Sequence, residues 1–176
     1  MAIHEYIYIM KRIYMFGAIA ALSLLALSCS TTPLEELKGS EPSPELTPRE
    51  VVSIQLEALA NDNEAREGIE IAFRFASPAN RSQTGPLPRF IRLFENPLYR
   101  PLLDPVETEL LQTMRRGEFV LQAVRIRNQE GRDFFYLFIL GLQGQGEYEN
   151  CWMTEGVQTF VGPVPASPEE FDMETI

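Results

Sequence analysis

A single histidine, His4, and two cysteines, Cys29 and Cys151, hold most of the nucleophilic and metal-binding capacity of this chain. His4 lies ahead of Lys11, Arg12 and a charge-free run, Ile13 to Ser28, that ends against Cys29. A positive stretch, an apolar stretch and small residues before a cut point are the order of an export signal. Removing that signal takes His4 with it. The mature chain then has no Ser-His-Asp or Cys-His pair to activate a nucleophile. It has no histidine for zinc, and Cys151 alone cannot build a cysteine site. No cofactor and no metal are expected. No glycine-rich phosphate loop joins a strand to a helix; Gly141, Gly144 and Gly146 read as hairpin glycines. Cys151 is expected as a small buried residue beside Trp152.

Carboxylate chemistry survives these exclusions. A Glu base with a Tyr donor can be drawn from Glu107, Glu109, Tyr99, Tyr136 and Tyr148. Against it, charges on a first strand usually line a solvated edge, and tyrosines fill rims. Arg74, Asn80, Arg81 and Arg89 surround Ser77-Pro78-Ala79-Asn80 and can meet an anion at a helix N-terminus. Asn80 equally suits a turn, and the arginines suit ion pairs. Trp152, the one tryptophan, reads as core, with a place in a ligand cavity as the alternative. The candidate pocket residues are therefore Tyr99, Tyr136, Trp152, Asn80 and Arg81.

The chemistry at Cys29 is a matter of address. Leu25-Ala26-Leu27-Ser28-Cys29 resembles the lipobox of bacterial lipoproteins, with Ala26 where Leu is commoner. That resemblance implies a signal peptide over 1–28, a diacylglycerol on the Cys29 thiol and an acylated new N-terminus. An uncleaved anchor is the competing reading, but the charge-free run falls short of the roughly 17–25 residues that a spanning helix needs. Met10, directly before the positive pair, is an alternative start. Ser30 after the cysteine, rather than Asp, favours an outer membrane where there is one. Several acyl chains on one residue give stable anchoring, since one chain alone is marginal.

The chain has 176 residues and a formal net charge of −10. Residues 1–28 hold Lys11, Arg12 and Glu5, so their removal leaves −11. Phosphate backbones repel such a chain, and no nucleic acid partner is expected. The length suits one domain. Residues 29–46, rich in Ser, Thr, Pro and Glu, read as a lipidated cysteine and a flexible tether.

A domain follows over 47–160. Thr47, Pro48 and Glu50 form a capping box with proline in the first helical position, and Val52, Leu56 and Leu59 carry a helix to Ala60. After the turn Asn61-Asp62-Asn63, a second helix is expected over 64–76 with Ile69, Ala72, Phe73 and Ala76 on one stripe. Ser77-Pro78 can cap a short extra turn. Gly85 to Pro88 opens a third helix with Leu87, Phe90, Ile91 and Phe94 on one face. The period then changes to that of strands, expected over 106–115, 118–127, 132–142 and 148–155 with short turns between them. This gives an α+β class, with three N-terminal helices on a curved four-strand antiparallel meander. The third strand, Asp133-FFYLFILGL, is apolar on both alternating faces. It is therefore central, with its second face covered either by the acidic, proline-containing tail over 161–176 or by a homodimer across the sheet.

Four segments, VVSIQLEALA (51–60), FRFASPAN (73–80), TGPLPRF (84–90) and CWMT (151–154), occur in the order seen in a family catalogued as domain of unknown function 4864, which this chain resembles over about 47–160. The family is similar to the cone-shaped group related to nuclear transport factor 2, and the resemblance implies helices packed inside a curved sheet. It implies no activity and no catalytic residues. The leading expectation is a non-enzymatic ligand-binding or protein-interaction module held at the cell envelope by lipid. The alternative is a small histidine-free enzyme that uses a carboxylate and a tyrosine.

Overall fold

A computed structural model describes residues 32–160. The expected signal peptide over 1–28, Cys29 and the expected tail over 161–176 lie outside the described residues.

The described chain runs through five helices, α1 (Leu34–Leu37), α2 (Pro48–Ala60), α3 (Glu67–Arg74), α4 (Pro78–Thr84) and α5 (Leu87–Leu93). A short 3-10 turn (Arg100–Leu102) leads into four strands, β1 (Glu107–Arg116), β2 (Phe119–Arg127), β3 (Asp133–Leu142) and β4 (Trp152–Phe160). The strands form one antiparallel sheet in the order β1-β2-β3-β4. The α+β class and the meander expected from the sequence are present, with more helices than the three expected.

α2 starts as its sequence dictates. The Thr47 hydroxyl oxygen accepts from the Glu50 amide, and the Glu50 carboxylate accepts from the Thr47 amide. The turn after it caps the next helix: Asn63 Oδ1 accepts from the Glu67 amide and Asp62 Oδ1 from that of Ile69. α3 is shorter than the expected 64–76. Pro78 biases Ser77 out of the helical region, and Ser77 is extended, with ψ 159°. The chain from Phe75 to Ser77 instead lies along the edge of β4. Thr154 N–H donates to the Phe75 carbonyl and Ser77 N–H to the Thr154 carbonyl, both at 2.9 Å. β4 also departs from its expected limits. Residues 143–151 form a longer connection, with positive φ at Gly146 and Asn150, so pairing begins at Trp152 and runs to Phe160.

The expected tether is corrected in its described part. From Thr32 it carries α1, Leu37 is buried in the main core, and Arg74 donates to the Lys38 carbonyl at 2.7 Å. Three residues of apolar sequence, Leu34, Leu37 and Leu46, are enough to hold it on the domain.

One core lies between helices and sheet, where Val52, Leu56, Ile69, Ile71 and Phe75 meet Val124, Ile126, Tyr136, Phe138 and Leu140. Leu137 and Ile139 point to the other face and cluster there with Met114, Leu121 and Ala123. β3 is thus buried on both faces, as its sequence requires. The second cluster is already buried within one chain, with Leu121 and Leu137 at 0% exposed. Among the described residues the large exposed apolar side chains are Leu98, Val106 and Leu142, none of them in that cluster.

Candidate functional site

A cleft of about 610 Å³ lies beside β4, walled by α4, α5 and the 3-10 turn and floored by α2, α3 and β3. It falls within the roughly 300–1,000 Å³ of pockets that take small organic ligands. Its apolar wall comes from Leu59, Phe90, Leu93, Phe94, Leu102 and Phe138, and its polar groups from Gln55, Asn80, Thr84, Tyr99 and Glu155.

The polar groups are positioned by the contact between α4 and β4. Ser77 caps α4 by accepting from the Asn80 amide at 3.0 Å. That places Asn80, which is buried, where its side-chain amide donates to the Thr154 carbonyl at 3.1 Å. Thr84 closes the helix by donating to the Asn80 carbonyl. Behind them, Gln55 spans the floor. Its amide donates to the Ala72 carbonyl at 3.0 Å, and its oxygen accepts from the Thr154 hydroxyl at 2.7 Å. Two buried side chains thus satisfy each other in an otherwise apolar layer, as burial demands. Glu155 sits at an irregularity in the β3–β4 pairing. One carboxylate oxygen accepts from the Ser77 hydroxyl at 2.6 Å and the other from the Gln143 amide at 2.9 Å. Tyr99 donates to the Val157 carbonyl at 3.3 Å, which closes off one group on the β4 edge.

Of the five pocket candidates, the structure brings Tyr99 and Asn80 to this cleft. Tyr136 is fully buried in the core beneath it, where its hydroxyl donates to the Leu98 carbonyl at 2.8 Å. Burial, with Tyr99 nearby, pushes its ionisation well above the usual phenol range, so it serves as a donor and not as a base. Trp152 is half-buried and packs against the main core. Arg81 lies apart from the cleft lining, between the rings of Phe73 and Tyr148, and donates to the Arg74 carbonyl. Arg74 is engaged by Lys38, Glu41 and Glu70.

The carboxylate candidates go elsewhere. Glu107 and Glu109 stand on the face of the sheet opposite the cleft, paired with Arg125 and Arg127. Asp133 completes that network, and the Arg127 guanidinium holds its carboxyl below the usual range. Tyr148 falls in the β3–β4 connection and not on a strand. Cys151 is buried, as expected, and burial pushes the pKa of its thiol up. Among the described residues no helix is long and apolar enough to cross a membrane.

Sequence reasoning missed Gln55, Thr154 and Glu155. Gln55 had a signal: it interrupts the apolar stripe of Val52, Leu56 and Leu59 at helical spacing, so it had to be buried and bonded. Glu155 had none, because a strand irregularity decides where it points.

The family described as Domain of unknown function (DUF4864) matches this chain over residues 43–165. No curated protein and no solved structure matches.

Proposed function

We propose that this chain, which belongs to the family described as Domain of unknown function (DUF4864), is a lipid-anchored envelope protein whose domain binds a largely apolar small molecule in the cleft beside β4. One observation carries the reading: a cleft of about 610 Å³ in which aromatic and aliphatic side chains stand beside polar groups, several of them held by hydrogen bonds. That is the combination by which pockets hold small organic ligands. The resemblance to the cone-shaped group related to nuclear transport factor 2 supports a binding site between helices and sheet, though fold by itself assigns no function. For the enzyme reading, the cleft offers one carboxylate, Glu155, with both oxygens accepting hydrogen bonds within the protein. The lipid is assigned to Cys29 because a positive pair, a charge-free run and Ser28 precede it in that order.

The cleft is tested with an alkanol that carries a photoreactive diazirine, added to the full chain in phosphatidylcholine vesicles. Crosslinks should concentrate in peptides that hold Phe90, Leu93, Tyr99 and Val157. Val157→Trp, which fills the cleft from a half-buried position, should lower them several-fold. Labelling spread evenly over the domain, or unchanged by the indole, would remove the proposal. The anchor is tested in cells fed labelled palmitate. Label should enter the unaltered chain and be lost in Cys29→Ala. Label retained by the variant would show that the thiol is not the attachment point.

A further inference from the structure

The charge of the cleft narrows its ligand further. Among the described residues that line it, Glu155 is the only charged one. No lysine, arginine or histidine among the described residues lines the cavity, and the chain as a whole is strongly acidic at −10. An ionised carboxylate entering this space would leave water for an apolar wall without a cation to pair with. An ion in that position keeps its full desolvation penalty. The acidic side chain already present adds repulsion to that penalty.

A neutral polar group meets no such barrier. Tyr99 donates to the Val157 carbonyl, which leaves its hydroxyl oxygen able to accept. Gln83 and Gln158 also line the cavity and bring amides that both donate and accept. One hydroxyl, ester or amide can be matched there by an ordinary hydrogen bond while the apolar remainder lies against Phe90, Leu93 and Phe94. We infer that the cleft selects uncharged amphiphiles, such as long-chain alcohols or neutral esters, and rejects the corresponding carboxylates. The inference rests on the cleft being the binding site, and it adds the chemical class of the ligand.

The test compares two diazirine probes of equal chain length, an alkanol and an alkanoic acid. Both are added to the full chain in phosphatidylcholine vesicles at pH 9, where the acid is ionised. Crosslinks to the cleft peptides are normalised to the amount of each probe in the vesicle. The alkanol should exceed the acid by about tenfold or more, as an unpaired buried charge requires. Leu93→Lys places an ammonium at a half-buried wall position from which its stem can reach water. It should shift the ratio toward the acid by about tenfold. Leu93→Gln, equally polar but uncharged, should leave the ratio near that of the unaltered chain. Equal capture of both probes in the cleft would overturn the charge selection while the cleft remained the binding site. A shift in Leu93→Gln as large as in Leu93→Lys would also overturn it. If neither probe reaches the cleft peptides, the binding site itself is wrong, and the class of ligand falls with it.

Discussion

Gly68→Ala is expected to destabilise the domain by about 3 kcal/mol or more, although helix propensity taken alone predicts a gain of up to about 1 kcal/mol. Gly68 lies in the first turn of α3, where that helix crosses the end of α2. A Cβ there would stand 2.1 Å from the Ala58 carbonyl oxygen and 2.8 Å from the Asp62 Cα. Both are backbone atoms, so no side chain can swing away. The helices would have to part, or the turn between them would have to reopen. That turn also holds the Asp62 contacts to the Ile69 amide and to Arg66. The missing side chain is thus what lets α2 and α3 approach closely enough to share the core. Denaturant unfolding of the two proteins decides between the effects. A stability equal to or above that of the unaltered chain would mean that the crossing is looser than these distances require.

Phe75→Ala is expected to cost about 3–5 kcal/mol, the range for a fully buried phenylalanine. Its side chain is 0% exposed in the main core, and its carbonyl accepts from Thr154 at the edge of β4. Phe73→Ala and Phe90→Ala should cost roughly half as much or less. Both residues are half-buried, their rings in tilted contact with centroids 4.9 Å apart. The apolar stripe of the second helix puts Phe73 on the inner face and overlooks Phe75. The structure reverses their weight: Phe75, the helical C-cap of α3, follows Ile71 and Ala72 at helical spacing onto the buried face, and Phe73 is left half-buried. Unfolding curves for the three variants check the order. Equal losses at Phe73 and Phe75 would contradict the burial seen here.

The starts of α2 and α4 were legible in the sequence because they are set by local chemistry. Thr47, Pro48 and Glu50 make the same bonds wherever they occur together, and Ser77 with Pro78 does likewise. β3 was legible because an apolar run on both faces has to be covered on both faces. Helix ends and strand limits were less so. The end of α3 depends on the β4 edge, about 80 residues later in the chain, and the start of β4 depends on two positive-φ residues in a connection whose length local patterns do not fix.

The sequence by itself determined the class of the fold, the order of its strands and the cysteine on which a lipid is proposed. Each follows from residue type or short-range spacing. Only the tertiary structure decided the site. It joined Gln55 to Thr154 across 99 positions of sequence and carried Asn80 to the β4 backbone. It also sent Glu107 and Glu109 to the face opposite the cleft. Sequence spacing cannot supply those pairings. They arise from how two helices cross over a sheet and from the strand irregularity that turns Glu155 toward Ser77.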